Sequence, residues 1–596
     1  MICVGDFEVF KKCWLCVFVE LDTGKEINIV NDSNKLREFY KSHKNDIFVF
    51  FNGRNYDKYI FKAILCGYDP YKVSQFIIED GRKGWEFDKT FQQIQLFDYD
   101  AYTPFFGLKT LEGFMGDTIK ETSVPFDIDR DLTEEEVEES LFYCRNDVLE
   151  TIKVLRLRKN EFDAQFGLIK TFDLHLSNIS KTQAQLAAVI LGAVKQDLND
   201  EWDIRLPETV DLGKYKHIGD WFLSDDCKKD NAKLECEIGG IPHVVGLGGL
   251  HGAIERYNEG CSDDEIYVMN DVNQMYPTLM VEYNLLSRGV VEPFKFVHIL
   301  NESLRLKALG EKNKREPFKR ICNISYGAEG DKFNPMYDPL HRNLVCVFGQ
   351  VLLIDLIDKI ESFCKLIQSN TDGILVKVKK KDLPKLNEEV EKWQKRTKLV
   401  MSYDEFVRVI QRDVNNYIIV PEGELYDKKG KPRWKAKGAV VKELSTLDYD
   451  LPIVNEAVKM WFLKGTPPEK TVFDCDELIK FQKIFKVSSL YKDARLGCTF
   501  REESIIDSTG KRKKVKLWNE DGELLTDKTF RVFASKKETG ALYKRKEGKN
   551  PEKFASCPEN CFIENESVVG KNTNEYKELD KQWYVDLARK RIREFV

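Results

Sequence analysis

Two groups of carboxylates in this 596-residue chain have the types and spacing to hold divalent cations. The first begins with Asp6 and Glu8, at i and i+2 in Met1-Ile2-Cys3-Val4-Gly5-Asp6-Phe7-Glu8. That stretch reads as a strand, so both side chains leave one face. Two carboxylates there repel unless a cation lies between them or water screens them. Asp57 stands near the start of a helix, after the buried-strand run 46–51 and the turn residues Asn52 to Tyr56. Its oxygen can cap that helix or join the same cation. Tyr143 and Asp147 lie one turn apart on a helix opened by the capping box Thr133 to Glu136 and expected to run to about Lys159. They are an exposed pair on an amphipathic helix, or a further ligand and its neighbour.

The second group is Asp271 and Asp372. Ile266-Tyr267-Val268-Met269 predicts a strand that delivers Asp271 to its end, and Pro277, with no N–H, stops the ladder. Runs 366–369 and 374–378 flank Asn370-Thr371-Asp372-Gly373, which predicts a hairpin with Asp372 at its tip. Each Asp alone is ordinary turn chemistry. Side by side, they can share two Mg²⁺ ions about 3.5–4 Å apart. One ion would activate an attacking hydroxyl and the other would steady a leaving pyrophosphate.

Between them, 317–327 predicts a short helix with Pro317 in its first turn and Gly327 as its C-cap. Lys319, Asn323 and Tyr326 share one face of it. A Lys there can neutralise a triphosphate and an aromatic can stack on a base; a solvated Lys and a half-buried Tyr give the same pattern.

In this order, DxNxxYP (271–277), KxxxNxxYG (319–327) and TDG (371–373) resemble motifs A, B and C of family B DNA polymerases, nearest in size to the phage and linear-plasmid branch. The resemblance implies a right-hand polymerase of palm, fingers and thumb. Asp271, Val272 and Asp372 would be its metal ligands. Tyr276 would underlie the incoming sugar and exclude a 2′-hydroxyl. Lys319 and Asn323 would face the nucleotide, and Tyr326 would contact DNA. A second cation on the first finger helix falls to Arg305 or Lys307. Gly248 and Gly249, in the cluster 246–252, resemble the YxGG loop that touches the template. Lys437 is the candidate for a primer phosphate. Three positions depart from the family: Asn370 replaces the first Asp of motif C, Asn415 replaces the Lys of the Lys-x-Tyr that ends at Tyr417, and Gly246 replaces the Tyr of YxGG.

Asp6 with Glu8, Asp57, and Tyr143 with Asp147 resemble the Exo I, II and III motifs of the same family's 3′–5′ proofreading exonuclease, of the DEDD type. The four carboxylates would hold two ions, Tyr143 would orient the attacking water and Asn52 would contact the single-stranded 3′ end. The implied fold is α/β and multidomain: a ribonuclease H-like exonuclease domain (1–175), a linker and start of palm (176–245), palm (246–300), fingers (301–330), palm again (331–440), and a thumb with the C-terminal region (441–596). The resemblance implies Mg²⁺ or Mn²⁺, two ions per active site. It also implies primer-template DNA, dNTPs and phage replication proteins as partners, no membrane, and the host cytoplasm as location. The other reading is a DNA-processing 3′–5′ exonuclease whose polymerase half only binds primer-template; Asn370 and Asn415 favour it.

Composition fits these readings. The length allows three or more cores, and 42% hydrophobic with 32% charged residues indicates globular domains. At net charge −6, any nucleic-acid surface must be local. No signal peptide and no membrane-spanning run is expected. Fifteen cysteines without a framework suit a reducing compartment, with Cys13/Cys16 and Cys557/Cys561 incidental.

The remaining expectations are local. A helix is predicted at 181–195, two helices at 301–326 joined by Gly310-Glu311-Lys312-Asn313, a loop at 333–343 and an apolar helix at 345–363. Lys511-Arg512-Lys513-Lys514 predicts a hairpin strand between turns at 508–510 and 519–522; this run and 544–546 are solvated faces or phosphate tracks. Only 48 positions separate Asp271 from Lys319. Protein-primed members of the family carry an extra subdomain there, so an open cleft, no terminal-protein platform and weak unaided strand displacement are expected.

Overall fold

The apolar runs at the start of the chain pair into a five-stranded sheet in the computed structural model, which describes residues 1–103, 105–120, 122–506, 511–520 and 522–596. Its strands are β1 (Ile2–Val9), β2 (Trp14–Glu20), β3 (Glu26–Val30), β4 (Ile47–Phe50) and β5 (Phe97–Asp100), in the order β3-β2-β1-β4-β5. β1 is antiparallel to β2 and parallel to β4. Side chains alternate between two cores, as strand geometry demands. Val4, Leu15, Val17 and Val49 face α5 (Glu134–Leu157) and α6 (Lys159–Thr171), while Phe7, Phe18, Phe48 and Phe50 face α1 (Ser33–His43), α2 (Asp57–Cys66) and α3 (Pro70–Ile78). The short α4 (Leu108–Met115) leads toward α5.

Eleven strands follow: β6 (Lys233–Ile238), β7 (Ile241–Gly246), β8 (Leu250–Ala253), β9 (Tyr257–Gly260), β10 (Glu265–Asp271), β11 (Cys364–Thr371), β12 (Gly373–Lys379), β13 (Asp404–Phe406), β14 (Arg408–Asp413), β15 (Asn416–Val420) and β16 (Lys435–Lys437). Seven form the sheet β13-β10-β12-β11-β8-β7-β6, and four form the sheet β16-β15-β14-β9. Ile266, Val268, Ile374 and Val376 share a core with the almost wholly buried helix α12 (Pro339–Ile360), which leaves Tyr267, Met269 and Asp271 on the opposite face. The other helices here are α7 (Gln183–Ile190), α8 (Lys216–Phe222), α9 (Met275–Glu282), α10 (Pro293–Ala308), α11 (Lys312–Glu329) and α13 (Leu383–Thr397). The C-terminal part carries α14 (Pro452–Lys464), α15 (Pro468–Phe473), α16 (Lys581–Arg593) and small antiparallel sheets. The whole is a mixed α/β multidomain protein with sixteen α-helices among the described residues. None of them is long and apolar enough to cross a membrane.

Several expected boundaries move. The helix expected at 317–327 is α11, which starts five residues earlier and keeps Pro317 and Gly327 inside it. Arg315 explains the early start: its Nε donates to the Ser303 carbonyl on α10 at 3.1 Å, so tertiary docking stabilises a turn that Pro317 alone would not predict. The first helix of that pair also starts early, at Pro293. The 333–343 loop is cut short because Asp338 caps α12 through the His341 N–H, making Pro339 its first residue. The helix expected to reach 195 stops at Ile190, with Gly192 in the left-handed region at φ 61°. The Thr133–Glu136 capping box is present, but its helix ends at Leu157 and α6 continues from Lys159.

All fifteen cysteines are free thiols. Cys13 and Cys16 belong to cores on opposite faces of the first sheet, so they share no ligand. The run 511–514 leads into an antiparallel hairpin, Thr499–Ile506 with Arg512–Glu520; the expected turn at 508–510 and Asp521 lie outside the described residues. In the second basic run, Arg545 pairs with Asp493 at 2.6 Å and Lys544 lies over the Tyr491 ring, so those charges are engaged within the protein.

One buried arginine ties the C-terminal part to α4. Arg531 is fully buried and donates to the carbonyls of Gly113, Asp117, Glu564 and Glu566 and to Gln482 Oε1. Gln482 in turn donates to the Phe114 carbonyl at 3.1 Å. Arg531→Met should strand several buried carbonyls at a cost on the order of 3 kcal/mol. Arg531→Lys should restore little of it, since an ammonium cannot span that fan of acceptors. Urea unfolding of both variants checks this; a wild-type midpoint in Arg531→Met would show that Arg531 does not hold the junction.

Candidate functional site

The pleat and the helix packing bring the N-terminal carboxylates together. Asp6 and Glu8 have the parity of Val4 and so face α5, where Asp147 stands. One ligand oxygen each of Asp6, Glu8 and Asp147 lies within 4.8 Å of the others. Asp57 opens α2 but does not cap it: Tyr56 occupies that position without a side-chain cap bond. Its carboxyl is 3% exposed, with Oδ1 buried and lacking a hydrogen-bond partner. Burial pushes Asp57 up to about 7, reinforced by Asp100 and Asp147. Burial, then the charges of Asp57, Glu8 and Asp147, hold Asp6 well above the usual carboxylate range.

Around this cluster, Lys109 of α4 donates to Asp147 Oδ1 at 2.6 Å and to Glu112 Oε1 at 3.1 Å. Burial, against the pull of Lys109, raises Glu112 to about 8. Asn52 sits just past β4 at φ 66°, its N–H held by Asp100 Oδ1 at 2.9 Å. Tyr143 is half-buried on α5, one turn from Asp147. A cleft of about 320 Å³ opens beside Glu8, with Tyr56, Tyr71 and Phe126 in its walls.

Strand register builds the second site. Asp271 is paired with Gly373 across β10 and β12, and the Val272 N–H donates to the Asp372 carbonyl at 2.7 Å. β11 and β12 turn through Thr371, at φ 60°, and Asp372, so Asp372 stands at the hairpin tip as expected, with Thr371 as the other turn residue. A Cβ on Gly373 would strike Asp271 Oδ1, so glycine permits the close approach. The far side of the Asp271 segment is held by Ser402 N to the Asp271 carbonyl and Asn273 N to the Val400 carbonyl, both at 2.8 Å. Burial and the neighbouring Asp271 raise Asp372 above its ordinary value.

A cleft of about 490 Å³ joins Asp271, Asn370, Asp372, Tyr417, Lys435 and Lys437. Lys435 pairs with Asp404 at 2.9 Å and with Asp271 at 3.3 Å, and Lys437 reaches Asn370 Oδ1 at 3.5 Å. Gly249 lies where a Cβ would meet Thr371 Oγ1 at 2.7 Å, so the glycine loop touches the hairpin tip; Gln350 of α12 holds it by donating to the carbonyls of Gly246 and Gly248.

α9 and α11 meet above this cleft. The rings of Tyr276 and Tyr326 are 4.4 Å apart, and the Tyr326 hydroxyl lies 2.8 Å from Cys346 Sγ. Gln274 precedes α9 without a side-chain cap bond, and its Oε1 accepts from Ser303 Oγ of α10 at 3.1 Å. Lys307 donates to Asn273 Oδ1, whereas Arg305 is tied to Glu302. Of the two candidate cations on α10, Arg305 and Lys307, Lys307 is the one joined to the Asp271 segment. Burial, then the charges of Arg315 and Lys319, depress its ammonium. Asn323 is exposed on α11.

No known protein-family model and no curated protein matches this chain. The geometry therefore stands alone. Hard divalent cations fit both carboxylate groups: one group has a buried orphan oxygen and mutually elevated carboxyls, the other two carboxylates in adjacent register. Sequence reasoning missed Lys109, Asp404, Lys435 and Gln350. For Lys109 no local signal existed, because only the packing of α4 on α5 aims it at Asp147; Lys435 was in view, in alternation with Lys437.

A carboxylate raised on folding binds more protons folded than unfolded, so its contribution falls as pH rises. For Asp57 the window runs from 3.8 to about 7. In a chelator, thermal stability should drop between about pH 5 and pH 8, Mg²⁺ should recover more at pH 8, and Asp57→Asn should flatten both trends. Melting curves at the two pH values check this; an Asp57→Asn slope equal to wild type would contradict it.

Proposed function

We propose that this chain is a template-directed DNA polymerase of the family B type with a 3′–5′ proofreading exonuclease. One observation carries the reading: two separate carboxylate sites stand on two different sheets, and only the second, Asp271 with Asp372, is roofed by a tyrosine pair and the cations of α10 and α11. The five-stranded sheet with helices on both faces suits a ribonuclease H-like exonuclease domain. The seven-stranded sheet, the α10–α11 hairpin and the C-terminal part suit palm, fingers and thumb.

Mg²⁺ or Mn²⁺, when bound, would lower the pKa of an attacking oxygen and neutralise phosphate charge. In the central site Asp271, the Val272 segment and Asp372 would hold the ions. Lys307 and Lys319 would bind the triphosphate of a dNTP, with Asn323 beside it. Tyr276, backed by Tyr326, would form a floor under the sugar where a 2′-hydroxyl has no room. Lys437, Gly248 and Gly249 would position primer and template. In the N-terminal site Asp6, Glu8, Asp57 and Asp147 would hold the ions, Tyr143 would orient water, and Lys109 would fix Asp147. Asn52 and the aromatic cleft beside Glu8 would receive an unpaired 3′ end, since bases stack on such rings whatever their identity. The interval from Asp271 to Lys319 is used up by α9, α10 and the first half of α11, which supports an open cleft and weak unaided strand displacement.

Asn370, and the hold of Lys435 on Asp271, favour the second reading, an exonuclease whose polymerase half only binds primer-template. Primer extension with four dNTPs and Mg²⁺ separates the two. On the first reading, Asp6→Ala with Glu8→Ala should abolish degradation of a single-stranded 3′ end and leave extension intact, and Asp372→Ala should do the reverse. Loss of both activities in either folded variant would contradict two independent sites. Tyr276→Ala should raise rNTP use relative to dNTP use by about tenfold, equivalent to roughly 1.4 kcal/mol of discrimination. An unchanged ratio would place the sugar gate elsewhere.

A further inference from the structure

On the face of the first sheet away from the exonuclease-like carboxylates, four residues of mixed donor chemistry converge. Cys3 lies on β1, on the opposite face from Asp6, and is fully buried. Glu20 ends β2 directly across from Cys3 in the strand register and is 5% exposed. His43 ends α1, and Asp46 stands three residues on, before β4, its N–H donating to the His43 carbonyl at 2.8 Å. Ligand atoms of Cys3, His43 and Asp46 all lie within 4.8 Å of one another. In a tetrahedral zinc site, bonds of about 2.0–2.3 Å place ligand atoms about 3.3–3.7 Å apart. Closing this group onto one ion therefore takes side-chain movement of about 1 Å.

The hydrogen bonds around His43 point the same way. Its Nδ1 lies 2.9 Å from the Phe39 carbonyl, which only accepts, and 2.9 Å from Ser42 Oγ, which can accept or donate, so a proton on Nδ1 is the state that satisfies both contacts. This leaves Nε2 facing Glu20 Oε1 at 3.4 Å. A neutral imidazole would oppose its lone pair to a carboxylate there. A proton or a metal ion between them removes the conflict, and an Nδ1–H held by a backbone carbonyl is how metal-ligating histidines are commonly oriented. Glu20 is oriented as well: its Oε2 accepts from Thr23 Oγ1 at 2.6 Å. Asp46 Oδ1 accepts from the Met1 amino group at 3.1 Å, a contact that a ligated Asp46 would share or give up.

We propose that Cys3, His43 and Asp46, with Glu20 as fourth ligand, form a zinc site separate from both carboxylate centres. Thiolate and imidazole select a borderline ion over Mg²⁺, and a dication deprotonates the thiol it binds. Burial and the charges of Asp46 and Glu20 push the Cys3 thiol up to about 12 in the metal-free protein, so zinc uptake releases a proton. The ion would clip the start of β1 to the α1–β4 turn. It would thereby brace the strand that carries Asp6 and Glu8 without touching their chemistry.

Cobalt titration of the full chain, stripped of metal, tests this. One equivalent of Co²⁺ should give a thiolate-to-cobalt charge-transfer band in the wild type and equally in the Asp6→Ala/Glu8→Ala variant, and Zn²⁺ should bleach it. Cys3→Ser should lose the band, and His43→Gln should bind Co²⁺ at least tenfold more weakly. Should Cys3→Ser fail to fold by circular dichroism, His43→Gln decides alone. A folded wild type without the band, a band that survives in Cys3→Ser, or wild-type affinity in His43→Gln would overturn the site; the first of these would leave a proton as the bridge between His43 and Glu20.

Discussion

Repulsion between like charges is the constraint that shapes this molecule. The fold gathers Asp6, Glu8, Asp57 and Asp147 at one place and Asp271, Asp372 and Asp404 at another, partly out of water. Bringing carboxylates together in a medium of low dielectric is costly unless protons, ammonium groups or metal ions intervene. Protons answer in part, which is why Asp6, Asp57 and Asp372 are all raised. Ammonium groups answer in part too. Lys109 sits on Asp147, and Lys435 is shared between Asp404 and Asp271. Neither lysine neutralises its whole cluster, and on the proposed reading divalent cations would take up the charge left over.

Rigid backbone makes this repulsion sustainable. Asp271 cannot swing away from Asp372, because β10 is paired with β12 on one side and with β13 on the other, and the Asp271 carbonyl is claimed by Ser402. In the N-terminal site the same work falls to the β1–β2 and β1–β4 ladders and to α5, whose Cys144, Val148 and Ile152 anchor Asp147 on the sheet. Both sites follow one design, in which a strand paired on each side carries the first carboxylates, Asp6 and Glu8 on β1 and Asp271 on β10, a helix or turn brings the others, and a helix bears the cation or aromatic beside them. At the two sites, left-handed backbone falls in short turns, at Asn52, Gln274 and Thr371.

How much of this could be read from the chain depends on the range of the interaction. Asp6 with Glu8, the Thr133–Glu136 box and the hairpin around Asp372 are local patterns of period two or of one turn, and each is where the sequence places it. Helix ends fared worse wherever tertiary contact overrode local signals. Arg315 extends α11 past Pro317, and Asp338 converts the end of a supposed loop into α12. The choice between Arg305 and Lys307 was closed to sequence, since both are cations on α10 and only the docking of α10 beside Asn273 separates them. Lys109, Gln350 and Arg531 act across 38, 104 and up to 418 positions, distances at which no spacing rule operates.

Net charge is a poor guide to such a protein, and the two sites show why. At −6 the chain as a whole would repel a polyanion. Screening limits that repulsion to about 8–10 Å at physiological ionic strength, so a phosphate responds to what lies within that radius. Beside the Asp271 cleft that means Lys307, Arg315 and Lys319 on the helical side and Lys435 and Lys437 on the sheet side. On the proposed reading the arrangement would be selective as well as attractive. Beyond the effect of burial, Arg315 and Lys319 stand close enough to Lys307 to lower the pKa of its ammonium, so on the proposed reading a group of high negative charge density would be favoured there. A triphosphate would relieve that repulsion more than a single backbone phosphate can. On the proposed reading, acidity and phosphate binding are compatible because cations and carboxylates are interleaved, Lys435 standing 3.3 Å from Asp271, well inside the screening length.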